Sequence, residues 1–242
     1  MFVRSATKLP SLPPAIELHA HRIGEGRPVL ALHDLGQTGT VVAEPLTALG
    51  HDFRIIAPDL RGHGGSPTPG GPWSIDDFAS DVARVVTAEG GQAIVVGVGL
   101  GAATALALAL GHPGLVSGLV LSGVSPRSEE PEGQERWIRA ARGIRERLGE
   151  AGEGIALAAE AMGTRPDWRG ALPQIESPAV VLAGGEDRAV PADTQRELSV
   201  WIRGARYELL EGAGHDVIAD ATGDVLEAVR RLAGCGSEAV AA

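Results

Sequence analysis

The pattern of apolar and polar positions divides the chain into alternating strand-like and helix-like segments. Short apolar runs rich in β-branched residues, typical of buried strands, occur at residues 29–33, 54–60, 94–96, 116–123 and 179–183. Helix-like segments alternate with them, as at residues 75–89, where Ser74 and Asp77 predict a capping box at the helix start. This alternation predicts an α/β fold, a mostly parallel twisted sheet with helices on both faces.

Residues 16–24 alternate apolar and polar side chains, which predicts an antiparallel strand near a sheet edge. His19 and His21 fall on one face of this strand. A metal ion needs more ligands than one histidine pair, and no others lie nearby in the sequence. We therefore interpret both as surface histidines and predict no metal site and no cofactor.

Between residues 126 and 174 the strand pattern gives way to charged, helix-favouring residues. We predict that residues 1–125 and 175–234 form the two parts of one core and that residues 126–174 form a small helical cap inserted between them. Residues 235–242, rich in small side chains, are expected to be a flexible tail.

The composition limits the kinds of molecule that this protein is expected to bind. The 242 residues carry a net charge of −10 that is spread along the chain, with no basic stripe to neutralise phosphates. This argues against nucleic acid or an anionic membrane and favours a small-molecule substrate; homodimer formation stays open. Cys235 is the only cysteine, and the N-terminus lacks the apolar core of a signal peptide, so a cytoplasmic protein is expected.

The uncharged stretch 93–111 is the most informative part of the chain. Its length is sufficient for a membrane span, but it divides at Gly97-Val98-Gly99-Leu100-Gly101 into a β-branched half and an Ala/Leu half. A strand, a sharp turn and a helix in this order form the G-x-S-x-G nucleophile elbow. Here Gly99 takes the central position, so the elbow carries no nucleophile. A buried strand and helix without any active site remains the alternative.

Five motifs in this order resemble the α/β-hydrolase superfamily: HDLGQTG at 33–39, APDLRGHGGSP at 57–67, the elbow, GGEDRAVP at 184–191 and GAGH at 212–215. The resemblance covers residues 16–233 and implies the α/β-hydrolase fold. It also implies that the catalytic acid is Asp187 and the catalytic histidine His215, with the vacant nucleophile position at Gly99. The oxyanion hole then maps to the backbone N–H groups of Leu35 and Leu100.

Two departures from the family pattern limit the functional prediction. Without a hydroxyl at Gly99, no acyl-enzyme can form at that residue. The family often has glycine directly after the loop histidine, whereas this chain has Asp34. If Asp34 points inward, its carboxylate opposes a developing oxyanion; if it faces away, it binds a loop N–H. The sequence leaves both orientations open.

The first hypothesis is an enzyme acting on a small, partly apolar carbonyl compound of the ester, lactone or β-diketone type. His215, oriented by Asp187, would be the general base, without a covalent intermediate. The second hypothesis is a serine hydrolase inactivated by glycine at residue 99, engineered or natural, and the third is a non-catalytic protein that binds a small ligand. The cap is expected to line the pocket through Trp137, Met162, Trp168 and Leu148.

Overall fold

The computed structural model describes residues 15–235, and in this part of the chain seven strands form one twisted sheet. The strands are β1 (Ala20–Gly24), β2 (Arg27–Leu32), β3 (Phe53–Pro58), β4 (Ala93–Val98), β5 (Val116–Ser122), β6 (Ala179–Gly184) and β7 (Arg206–Leu210). Their spatial order is β1-β3-β2-β4-β5-β6-β7. Only the edge strand β1 is antiparallel to its neighbour, as its alternating pattern predicts.

Helices cover both faces of this sheet. They are α1 (Gly39–Leu46), α2 (Ile75–Ala88), α3 (Leu100–Gly111), α4 (Pro131–Leu148), α5 (Glu153–Gly163), α6 (Ala192–Trp201), α7 (Val217–Asp220) and α8 (Thr222–Cys235). Apolar side chains of α2, α3 and α6 pack on one face, and those of α1, α7 and α8 pack on the other. The central strands β4 and β5 are buried on both sides, which explains why their sequences read as continuous apolar runs.

The cap region contains α4 and α5, which pack against each other through buried Ala141, Ala156 and Ala159. Both helices lie within the predicted insertion, residues 126–174. Small side chains at this contact let the two helix axes approach closely. The division of the chain into core and cap stays a prediction that rests on the change of pattern.

Some predicted boundaries differ from the observed ones. The edge strand begins at Ala20 rather than at residue 16, and the closing helix, predicted from Asp220 to Ala233, is α8 (Thr222–Cys235), with the short helix α7 before it. Residues 1–14 and 236–242 lie outside the described residues, so the prediction of a flexible tail is not addressed. Within residues 15–235, no helix is both long and apolar enough to cross a membrane. The stretch 93–111 forms strand β4, the turn at Gly99 and helix α3.

The parallel register places the loops after β2 and β4 side by side. Leu32 at the end of β2 is paired with Gly97 of β4, and Val98 is paired with Ser122 of β5. In open α/β sheets, ligands bind in the crevice beyond the carboxyl ends of the strands. The residues that follow β2, β4, β6 and β7 therefore converge on one candidate site.

Candidate active site

The turn between β4 and α3 has the sharp geometry of an elbow. Gly99 has φ +54° and ψ −114°, a conformation on the left-handed side that favours glycine. Its neighbours Gly97 and Gly101 permit close backbone contact, because a Cβ on Gly101 would overlap the carbonyl group of Leu32. The elbow frame is therefore intact although its central residue has no side chain.

The Asp34 carboxylate fills the space that an elbow side chain would take. A Cβ built on Gly99 would overlap Asp34 Oδ1, and the same oxygen accepts a hydrogen bond of 2.9 Å from the backbone N–H of Leu100. Of the two orientations that the sequence left open, Asp34 has the inward one. The backbone N–H that Asp34 binds at 2.9 Å, that of Leu100, belongs to the elbow.

His215 lies between two carboxylates. Its Nδ1 is 2.8 Å from Asp187 Oδ2, and its Nε2 is 3.2 Å from Asp34 Oδ2. Each ring nitrogen therefore faces an acceptor, and the imidazole satisfies both carboxylates only when it carries two protons. The hydrogen bonds that His215 donates to Asp34, above all, and to Asp187 outweigh the effect of burial and raise the pKa of His215 to about 9.

The ionisation of Asp34 follows from the same contacts. Burial by itself raises the pKa of this carboxyl group, but the hydrogen bonds from His215 and Leu100 and the charge of His215 more than compensate. The net effect is a pKa below its usual value. At neutral pH the site therefore holds a carboxylate, an imidazolium and a second carboxylate in a row.

The predicted oxyanion-hole donors bind this carboxylate. The N–H of Leu100 donates to Asp34, and the N–H of Leu35 also lowers the pKa of Asp34. While Asp34 keeps this position, Leu100 cannot offer its N–H to a substrate oxygen. The role of Leu35 and Leu100 as oxyanion-hole donors stays a prediction, and it requires the Asp34 carboxylate to leave this position.

Two glutamines, which the sequence interpretation did not single out, hold the site. Gln195, fully buried on α6, donates to Asp187 Oδ2 over 2.9 Å and accepts from the N–H of Gly123 over 2.7 Å. Gln37 accepts from the N–H of Asp34 and donates to Asp216, the neighbour of His215. An amide on an amphipathic helix or in a loop gives no signal in one sequence that it contacts a catalytic group.

A mostly apolar cavity of about 440 Å³ opens above Asp34, Gly99 and His215. Trp137 and Met162 of the cap line it, as expected, together with Leu35, Val124, Ala140 and Val190. Trp168 does not line this cavity, because it is buried in the hydrophobic core, where its backbone N–H donates to the carbonyl of Pro126. Leu148 is about half exposed and also lies outside the lining.

Charged cap residues missed by the sequence interpretation also border the cavity. Glu129 accepts hydrogen bonds from Arg165 (2.8 Å) and from the indole N–H of Trp137 (3.2 Å), and Arg136 lies beside it. Arg165 is almost fully buried and also donates to the carbonyl of Met162. These bonds join the segment before α4 to the end of α5 and so fix the cap wall of the cavity.

The comparison with known families is decisive for the fold. Residues 29–228 match the model of the alpha/beta hydrolase family, which is most of the chain. This chain belongs to the alpha/beta hydrolase family. The predicted fold is confirmed, because an esterase from Thermogutta terrifontis superposes with a TM-score of 0.81 at 26% identity, covering 88% of this chain and 92% of that one.

Two further relatives show the range of the family. The enol-lactonase from Burkholderia xenovorans LB400 has a TM-score of 0.80 at 27% identity, covering 90% of this chain and 96% of its own. The lipase LipV of Mycobacterium tuberculosis is 38% identical over 112 residues, which are 44% of this chain and 41% of the lipase. Likeness to esterases and lactonases supports a hydrolase-type relationship, but it does not identify a substrate.

Proposed function

We propose that this protein is an enzyme that acts on a small, partly apolar carbonyl compound of the ester, lactone or β-diketone type without a covalent intermediate at residue 99. The observation that carries the proposal is the Asp34–His215 contact of 3.2 Å at the position of the missing nucleophile. The apolar cavity above this pair and the esterase and lactonase relatives support the substrate class.

The geometry changes the roles that the sequence analysis gave to the site residues. An imidazolium whose pKa is about 9 is a proton donor at neutral pH, not the general base that was expected. The proton-accepting group is instead the Asp34 carboxylate. Asp187 keeps its place as the group that orients His215 through Nδ1 and stabilises its charge.

Hydrolysis of an ester or lactone then needs two proton transfers, one to Asp34 and one from His215. A water molecule attacks the carbonyl carbon and gives one proton to Asp34, while His215 gives its Nε2 proton to the departing alkoxide oxygen. The products are the carboxylic acid and the alcohol. Protonated Asp34 then returns its proton to neutral His215 across their 3.2 Å contact, which restores the starting state. In a β-diketone the water attacks one carbonyl, and His215 protonates the carbon released by C–C cleavage.

A proton transfer by a positioned group contributes about 10²–10⁴-fold to a rate, and this range sets the expected effect of removing Asp34. The test is turnover by Asp34→Asn on a panel of small esters, lactones and β-diketones, since asparagine keeps the size but cannot accept the proton. We expect a loss of about 10²-fold or more in kcat. The matched control is Asp52→Asn, because Asp52 is exposed and lies outside the cavity lining.

The two other hypotheses give different results in the same assay. An inactivated hydrolase or a ligand-binding protein shows no turnover in the unmodified chain, so Asp34→Asn then has nothing to reduce. Saturable ligand binding without any product would favour the binding protein. Equal turnover by Asp34→Asn and the unmodified protein would refute the proposed role of Asp34.

A further inference from the structure

A second cluster of chemically active side chains lies at the antiparallel edge of the sheet. His19, His21 and Asp59 each offer one ligand atom, and these three atoms all lie within 4.8 Å of one another. We propose that they form a binding site for a divalent transition-metal ion of the Zn²⁺ type. The sequence interpretation of the two histidines as isolated surface residues missed the third ligand.

The pairing of β1 with β3 brings the third ligand, Asp59, next to the two histidines. β1 runs antiparallel to β3 with Ala20 opposite Pro58, so the residues just outside this pair, His19 and Asp59, also come together. The N–H of Asp59 donates to the carbonyl of His19 over 2.9 Å. His21 lies two residues further on, on the same face of the strand. A separation of 40 residues in the sequence therefore becomes a direct contact.

The separations suit a tetrahedral ion. Metal–ligand distances of about 2.0–2.1 Å place neighbouring ligand atoms roughly 3.3 Å apart. His19 Nδ1 is 3.0 Å from Asp59 Oδ2, His21 Nε2 is 4.0 Å from Asp59 Oδ1, and the three ligand atoms all lie within 4.8 Å of one another, so an ion has to draw the two histidines closer together. Small side-chain rotations bring all three ligands to the ion, and water takes the fourth position.

Asp59 is held ready for this role. Its side chain is 4% exposed, and Oδ1 accepts from the N–H of Gly39 while Oδ2 accepts from the N–H of Gly65. These backbone donors fix the position of the carboxylate, and each oxygen retains a second lone pair. The ion takes the place of the proton that His19 Nδ1 now directs at Oδ2, and in the neutral imidazole that proton moves to Nε2, so the ring binds the ion through Nδ1 without becoming an imidazolate.

The donor set selects the class of ion. Two imidazoles and one carboxylate suit Zn²⁺, Co²⁺ and Ni²⁺, whereas Mg²⁺ and Ca²⁺ prefer oxygen ligands alone. One neighbour competes, because the Thr40 hydroxyl lies 3.0 Å from His21 Nε2. An ion that binds this nitrogen displaces the hydroxyl, so replacing Thr40 by valine should leave metal affinity unchanged or raise it.

The test is a titration of the untagged full-length chain with Co²⁺, followed by visible absorption, with Zn²⁺ as competitor. We expect one equivalent of tetrahedral Co²⁺, displaced by Zn²⁺. Removing an outer-shell partner of a metal ligand typically costs 10–100-fold in affinity, so loss of a ligand in His21→Gln should cost at least about tenfold. The control His51→Gln removes an exposed histidine elsewhere and should bind as the unmodified protein does.

His19→Gln should give the same loss as His21→Gln, and Thr40→Val should not. Both histidines are partly exposed, so these variants are expected to fold, and circular dichroism verifies that they do. Absence of a tetrahedral Co²⁺ spectrum, or equal affinities in His21→Gln and His51→Gln, would overturn the proposal. None of these variants changes Asp34, His215 or Asp187, so the outcome is independent of the proposed enzymatic function.

Discussion

The protonation state of His215 gives the most direct test of the site. The structure raises the pKa of this imidazole from 6.5 to about 9, and the largest cause is the hydrogen bond to Asp34. Because asparagine has no charge, Asp34→Asn should lower the pKa of His215 toward its ordinary value of 6.5. The measurement is an NMR titration of the histidine ring protons, with His215→Asn used to assign the His215 signal.

The same shift predicts how stability depends on pH. A group whose pKa is raised by folding stabilises the folded state fully below its unfolded pKa, here about 6.5, and loses that contribution as the pH rises to about 9. Each pH unit is worth about 1.4 kcal/mol, so the loss is at most about 3.5 kcal/mol, reduced by solvent screening at this partly exposed ring. Urea denaturation at both ends of this pH range measures it.

The control for this stability effect is His215→Asn, which should lack the difference between the two ends of the range. Asp34→Asn should show an intermediate difference because Asp187 still faces Nδ1. A His215 pKa near 6.5 in the unmodified protein would refute the reasoning. A His215 pKa that is the same in Asp34→Asn as in the unmodified protein would also refute it.

Three further predictions concern other parts of the site. Gly99→Ser alone should form no acyl-enzyme with small activated esters, because its Cβ overlaps the Asp34 carboxylate, whereas the double variant Asp34→Gly/Gly99→Ser should form one that mass spectrometry detects; an acyl-enzyme in the single variant would contradict this. Gln195→Leu should lower the free energy of unfolding by about 1–3 kcal/mol per buried partner left unsatisfied, measured by urea denaturation, and an unchanged midpoint would contradict it. Trp168→Ala should cost about 3–5 kcal/mol of stability, whereas Trp137→Ala should mainly change KM; the reverse pattern would contradict their placement.

The sequence predicted the framework better than the site. Hydrophobic periodicity determines which segments are strands and which are helices, because it reflects burial on one face or two. For this reason the order of elements, the antiparallel edge strand and the elbow at Gly97 to Gly101 were predictable. The family resemblance supplied Asp187 and His215, which the structure places 2.8 Å apart.

Side-chain direction in loops could not be predicted. Asp34 turns toward Gly99 because a donor 66 residues away, the N–H of Leu100, stabilises its carboxylate, and no local pattern encodes that contact. The protonation of His215 depends in turn on this orientation. The same limit applies to Trp137 and Trp168, since aromatic residues in an amphipathic insertion look alike whether they face a cavity or the core.

The overlap between a residue-99 side chain and Asp34 has an evolutionary consequence. A serine at position 99 is blocked while the aspartate is present, and an aspartate beside an occupied elbow has nowhere to bind. The two positions are therefore epistatic. A lineage that changes one position at a time passes through a form that has neither the serine nucleophile nor the Asp34–His215 pair. Homologues of this chain should carry the two replacements together, and a homologue with serine at 99 should have a small residue at 34.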